Sequence, residues 1–570
     1  MSRARCHGIG GGEQGAKRWQ KNESFYKTGT GAQACTSLCP SNSCCFFPLV
    51  LLLMRDRMVS RGGSVLSRAI ILSFSALLTL ILASLLSPSA TFANKYYIDC
   101  AGGADSNNGT SSSTPWKHAP GMTGFSGTYK HAAGDQIIFK GGVTCPVSYF
   151  PMTIASGGTS GNNDYYGVDQ TWYSGDAWTR PLFDMNYATV TNSNYGGVPV
   201  FINTSYVTID NIEVAHMIIN AGVSGNSGSI TASASSTNIL VEHCYIHDWR
   251  AGSSQSSYGS SDPGSGGISF LNGNSAPSAS LVADSNTIGP GQGGDGTTDW
   301  CFGTGIWQGS AVTNNAITNA CDLVHGSPTV LAGNTFAWGN QPWVSLNHNN
   351  VFWGAENPFG TSYIYNNIFI GPFAAQYEGI FPHPCWGGGN SVVYIFDNII
   401  QGTQQIPIQP DDSNCAAGNS SGVYIFNNTA HGGAVVMVDN RGGPYLNFLT
   451  LQNNHFISGD SYPYNGWYQG NVTNFTYDSS NVQNQTTAAA NAQGYTLANN
   501  WAPTSSSGIT VGHGTNLTSL CTGGTIDNLC KDRLGNARPT SGAWDAGAYE
   551  WGTSSANAPN PPTSLTASVQ

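Results

Sequence analysis

Between about residues 200 and 480, short runs of β-branched and aromatic residues alternate with Gly, Asn and Ser, and no stretch holds a 3.6-residue apolar period. That pattern predicts strands joined by turns. One phrase returns with little change: "SYIYNNIFI" at 362–370, "VVYIFDNII" at 392–400 and "GVYIFNNTA" at 422–430. Written as apolar–x–x–Asn–x–apolar, it also fits "IDNIEV" at 209, "VEHCYI" at 241, "ADSNTI" at 283, "VTNNAI" at 312, "LAGNTF" at 331, "LNHNNV" at 346, "LQNNHF" at 451 and "YDSSNV" at 477. Asn286, Asn315, Asn334, Asn349, Asn367, Asn398, Asn428 and Asn454 fill the fourth slot; Ile212, Cys244 and Ser480 are the exceptions.

Most copies are spaced 26–32 residues apart, the signature of stacked structural repeats. Strands repeating in one direction with only turns between them give a parallel β-helix, in which each coil pairs with its two neighbours. The predicted class is therefore all-β, a parallel β-helix. An Asn turned inward at one corner of every coil is expected to form an amide ladder along the stack. The same slot is expected to take the left-handed backbone of a sharp corner, which Asn tolerates. The buried Cys244 then fills an apolar place in that column. His216, His243 and His455, within the repeat strands, read as packing or ladder residues.

Composition agrees with this reading. Gly accounts for 72 of 570 residues, charged residues for 9% and aromatics for 11%, too apolar for disorder and too rich in Gly and Asn for helices. Residues 94–552 hold ten Lys or Arg against 28 Asp or Glu, a net of −18, which argues against nucleic acid and anionic membranes as partners. Upstream, basic residues after Met58, the apolar run 69–86 and the small-residue exit at Thr91 and Ala93 describe a signal peptide over 58–93. Residues 1–57 show no targeting logic, which points to Met58 as the start. An exported chain, secreted or on the cell surface, can oxidise its cysteines. Sequence neighbours suggest Cys100–Cys145, Cys301–Cys321, Cys385–Cys415 and Cys521–Cys530, with Cys244 unpaired.

The segments "YYIDCAGGADSNNGTSSSTPWKHAPGM" at 96–122 and "AGDQIIFKGGVTC" at 133–145 resemble the opening of secreted bacterial right-handed β-helix proteins, the pectate-lyase-like superfamily. "RLGNARPTSGAWDAGAYEW" at 533–551 resembles the closing segment of the same group, so the likeness covers most of 94–552. It implies a right-handed parallel β-helix with N- and C-terminal caps, acting as a monomer on a polysaccharide or cell-surface glycan. It leaves activity open, because the superfamily includes lyases, glycoside hydrolases, epimerases, tailspikes and adhesins. The tail 553–570 reads as a linker followed by a strand that resembles the start of a fibronectin type III module.

In such proteins the outward residues of consecutive coils line a groove. Stacked in register, the segments before each Asn corner would bring His325, His383, Asp411, Asp412, Asp439 and Arg441 together as catalytic candidates. Gln308, Trp307, Trp386 and Tyr377 are the candidates for holding sugar. Asp411 and Asp412 suit acid catalysis if their environments separate their pKa values, although "PDDSNC" also reads as a solvated turn. A lyase needs a base and a cation to neutralise a uronate carboxyl. Lys is absent from 141–530 and Arg250 and Arg441 are the only Arg between 200 and 500, leaving these two as bases and Ca²⁺ as the metal such a lyase would use. Hydrolysis is the leading expectation, a Ca²⁺-dependent lyase and a non-catalytic adhesin the rivals.

Overall fold

The computed structural model describes residues 93–552 apart from 191–197, 220–227, 252–265, 272–279, 292–303, 321, 338–351, 355–359, 372–378, 386–389, 402–407, 409, 411–414, 433–445 and 458–471. Three long sheets run along one another. Among the described residues the first has thirteen strands, from Lys95–Ile98 to Val472–Tyr477; the second has twelve, from Thr144–Pro146 to Val482–Asn484; the third has eight, from Met152–Ile154 to Ile380–Pro382. A single coil shows how they arise. Thr361–Tyr365, Ile368–Ile370 and Ile380–Pro382 each contribute to a different sheet, and Val392–Phe396 then returns to pair in parallel with Thr361–Tyr365. The chain is the all-β parallel β-helix its repeats predict.

The register explains the apolar positions of each repeat. Ile364, Ile395, Ile425 and Leu451 stand one above another in the thirteen-stranded sheet, and all are buried. Val200, Ile230, Ile268, Ile306, Val324, Phe352 and Ile380 do the same in the eight-stranded sheet. Side chains two apart share a face, so these columns form one continuous core.

The amide ladder is present. Asn286 donates from both its backbone N–H and its Nδ2 to Oδ1 of Asn315, and the pattern repeats through Asn334, Asn367, Asn398, Asn428 and Asn454 to Asn481. A buried amide left without partners costs about 1–3 kcal/mol, so each rung needs the next. Three details differ from the sequence expectation. Asn334 bonds directly to Asn367, so the ladder passes over Asn349, which lies outside the described residues. Its last member is Asn481 rather than Ser480. The left-handed corner belongs to the residue before each Asn: Asn211, His243, Ser285, Asn314, Gly333, Asn366, Asp397, Asn427 and Asn453 have φ between 52° and 70°. The rung residue itself is spared that strain and keeps its amide aligned.

Cys100–Cys145 ties the opening segment to the first coils, and Cys385–Cys415 and Cys521–Cys530 are also bridged. Cys244 is free and buried, as its slot requires; Cys301–Cys321 falls outside the described residues. Gly109, at φ 72°, lies against Trp116, where a Cβ would come within 2.5 Å of the indole. That contact accounts for one glycine of the opening motif. The closing segment does more than end the stack, because it runs back along the flank of earlier coils. Asn528 donates to Tyr365 Oη at 3.1 Å, Asn427 donates to the Asp545 carbonyl at 3.1 Å, and Leu517, Ile526, Leu529 and Trp544 pack on Phe396 and Phe426.

Candidate functional site

Of the candidates read from the sequence, Asp411, Asp412, Asp439, Arg441, Trp386 and Tyr377 lie outside the described residues. Of the other four, Trp307 and His325 lie on paired strands of the eight-stranded sheet, Gln308 one residue past the first of these, and His383 one residue past a strand two coils further on. The outward column of that sheet includes Phe201, Thr231, Ser269, Trp307 and His325, each paired in register with the next, and Phe381 two coils beyond His325; of these Phe201 and Trp307 are partly exposed and the others are buried. The column therefore changes from mainly small hydroxyl residues to rings. Trp307 stacks on His325 with centroids 4.2 Å apart and planes 26° from parallel, and Phe381 meets His383 edge-on at 4.3 Å. Both imidazoles are buried, while Trp307 is half-buried.

The corner beside this column is tight. Gln308 is left-handed at φ 66° and donates its backbone N–H to the His325 carbonyl at 2.6 Å. Gly326 and Gly354 continue the stack, and a Cβ on Gly354 would fall 1.6 Å from the Gly326 carbonyl oxygen, so only glycine fits. Gln308 is 3% exposed, and among the described residues its Oε1 has no hydrogen-bond donor. A buried amide oxygen without a partner is costly, and here it stands next to the ring column.

A second group of polar residues escaped the sequence reading. Asp210, Glu242 and Asp284 face outward on adjacent strands of the thirteen-stranded sheet, in direct register. Asp210 accepts from Tyr165 Oη at 2.6 Å and from Asn211 Nδ2 at 2.9 Å, and His243 Nδ1 lies 2.9 Å away. Asp284 accepts from Thr313, from Asn314 at 2.9 Å and from Ser285 at 2.9 Å. Burial raises the pKa of Glu242, and the neighbouring negative charges of Asp210 and Asp284 raise it further against the pull of His243. Donor atoms of Asp210, Glu242 and His243 all lie within 4.8 Å of one another and could hold a metal ion. One imidazole with two carboxylates suits zinc or another transition ion better than Ca²⁺, which takes six to eight oxygens.

Close by on the twelve-stranded sheet, His216 Nδ1 lies 2.8 Å from Asp184, and His247 contacts Glu213 at 3.1 Å and Asp248 at 2.5 Å. Burial works against the His247 cation, but hydrogen bonds to the two carboxylates outweigh it and its pKa ends above the ordinary value. So His216 and His243 are not packing residues as expected; each pairs with an acid on the outer surface, and the His243 side chain is 48% exposed. His455 is the packed one, buried beneath Tyr495 with Asn484 as partner and its pKa pushed down to about 4 by burial. The repeat carried a signal for the acid column. The second slot of its first three copies reads Asp210, Glu242 and Asp284, where later copies have Thr313, Ala332, Tyr365, Phe396 and Phe426.

No helix among the described residues is long and apolar enough to cross a membrane, and the three disulfides fit an oxidising compartment. No protein-family model matches the chain, and no curated protein does. Among solved structures it is similar to pectate lyase Pel9A, at 14% identity over 81% of this chain and 97% of that one, with a TM-score of 0.35. It is also similar to the GH136 lacto-N-biosidase from Eubacterium ramulus, at 12% identity over 68% of each chain and a TM-score of 0.31. A rhamnogalacturonan lyase matches at 14% identity over 70% of this chain and 88% of that one, with a TM-score of 0.26. The sheets themselves, all parallel and stacked coil on coil, make the chain a parallel β-helix.

Proposed function

We propose that the protein is exported and acts on an extracellular polysaccharide laid along the outer face of the eight-stranded sheet. The observation that carries this reading is the outward column in which the half-buried Trp307 stacks on His325. An indole offers a sugar ring a flat apolar platform. The solved structures it resembles carry the names of a pectate lyase, a lacto-N-biosidase and a rhamnogalacturonan lyase, which accords with a glycan as substrate.

Hydrolysis is the reaction we favour. Asp411, Asp412 and Asp439 are the candidate acids, His325, His383 and Arg441 the candidate positioning and proton-transfer groups, and Trp386 and Tyr377 further sugar contacts. Hydrolysis needs one carboxyl protonated while its partner stays ionised, and the chain supplies acids freely while offering no Lys between 141 and 530. The test is the oxidised protein against neutral and uronic-acid polysaccharides, with Ca²⁺ and with chelator. Reducing ends and the absorbance of a new unsaturated bond are followed together. New reducing ends without absorbance are expected, with affinity falling about tenfold in Trp307→Ala. Absorbance that disappears on chelation would replace the hydrolase with a Ca²⁺-dependent lyase. No product on any substrate, from folded protein, would leave a non-catalytic surface rod.

A further inference from the structure

We infer a second carbohydrate site, for a neutral sugar of one or two rings, on the twelve-stranded sheet where the closing segment meets it. A cavity of about 550 Å³ lies there. One wall is the outward column Ile370, Gln401 and His431, in register on three successive coils. The opposite wall comes from the short helix Thr487–Ala492 and the turn after it, which bring Asn491, Leu497 and Trp501 to the cavity.

Its chemistry selects the ligand. Among the described residues no Asp, Glu, Lys or Arg lines the cavity, so none of them balances the charge of a uronate or an amine. Ile370, Leu497 and Trp501 supply apolar surface, Asn491 supplies an exposed amide, and Gln401, whose Nε2 donates to Asn500 at 2.9 Å, supplies its carbonyl. That combination matches a pyranose, whose faces are apolar and whose rim carries hydroxyls. Leu497 is 58% exposed, an apolar side chain left open to solvent beside the cavity. His431 stacks on Trp501 at 4.8 Å and meets Thr487 at 2.9 Å, so the two walls are already joined on this side before anything binds. A volume of this size falls within the roughly 300–1,000 Å³ of small-molecule pockets.

The site is separate from the groove on the eight-stranded sheet and is read by binding alone, so it stands or falls independently of turnover. The test is saturation-transfer NMR and calorimetry on the full oxidised chain with neutral disaccharides and their uronic-acid counterparts. A neutral disaccharide is expected to bind and the uronic-acid counterpart to fail. Ala498→Trp, at an exposed position on the cavity, should abolish binding while leaving the unfolding midpoint unchanged. Asn491→Leu, exposed on the short helix, should weaken binding about tenfold by removing one amide contact. The inference is overturned if no neutral sugar binds the parent protein, if uronic forms bind equally well, or if folded Ala498→Trp binds like the parent.

Discussion

The outer edge of the thirteen-stranded sheet is one column with two characters. At coils 209–284 it holds Asp210, Glu242 and Asp284, with His243 at the adjoining corner; at coils 364–426 the same positions hold Tyr365, Phe396 and Phe426, with Asp397 at the corner. Behind both stretches the core and the amide ladder continue. What differs is the cover. The closing segment lies over the aromatic stretch, where Trp544, Leu517, Ile526 and Leu529 pack on Phe396 and Phe426. In the open stretch His243 is exposed and its acid partner accepts from side chains of its own and neighbouring coils. The inside of a solenoid fixes the coil; the outside records what each coil meets.

The sharpest way to break that contrast is to cut the link between cover and corner. Arg538 of the closing segment is fully buried and donates to Asp397 Oδ1 at 2.7 Å and to Glu550 Oε2 at 3.0 Å. Burial raises the pKa of Asp397 well above its ordinary value, and that of Glu550 stands at about 7 even with the Arg538 guanidinium pulling against both shifts. Arg538→Ala would leave two buried carboxyls without their cation and should cost about 3–5 kcal/mol. Denaturant unfolding measures it. A loss under 1 kcal/mol would mean the cover is not fastened at this corner.

Two histidines sharpen the comparison through pH. His455, packed under the cover, has its pKa lowered to about 4, so it favours the folded state while neutral. Its contribution is complete above about pH 6.5 and disappears as the pH falls towards 4, a loss of roughly 3 kcal/mol. His247, near the open stretch, has a raised pKa, and its contribution has the opposite sign. It is complete below about pH 6.5 and is lost as the pH rises through the folded pKa. Histidine titration by NMR should place the two on opposite sides of the free value; both on the same side would contradict the burial assigned to them.

How far the sequence reaches follows the same division. Asn367, Asn398 and Asn428 announced the coil because every coil imposes the same demand: a buried corner amide must bond to the next. Cys244 was readable for that reason too. The acid column was spelled out in slot two of the repeat, yet Asp210 and Glu242 go unnoticed when attention rests on the constant Asn. Nothing local marks Arg538 as the partner of Asp397, since 141 residues separate them and only the path of the closing segment joins them. His325 and Trp307 could be placed on one sheet from their repeats, but their stacking depends on an 18-residue coil step, shorter than its neighbours.

Because the ladder runs behind both stretches, breaking it should be indifferent to the cover. Asn315→Ala in the open half and Asn398→Ala in the covered half each remove a buried amide that serves two neighbours. Each should cost about 1–3 kcal/mol. Chemical denaturation of the pair measures it, and a covered-half variant that lost far less than its counterpart would show that the closing segment can replace a rung.

The smallest effect tests the open column itself. Glu242 stands between two carboxylates on adjacent strands, and like charges directly opposite destabilise a sheet by a fraction of 1 kcal/mol. Because Glu242 is only partly buried, solvent screens much of the repulsion. Its raised pKa makes the stability fall as the pH climbs from below about 4.3 through the folded value, as the side chain takes up its charge. Glu242→Gln keeps the shape and removes the charge. At pH 7 it should therefore be slightly more stable than the parent, by about 0.2–1 kcal/mol, and it should lose that advantage at pH 4. Thermal unfolding at the two pH values separates the possibilities. A gain that persisted at pH 4 would come from packing, whereas a loss at pH 7 would mean that the acid column is held together by a counter-charge its own residues do not provide.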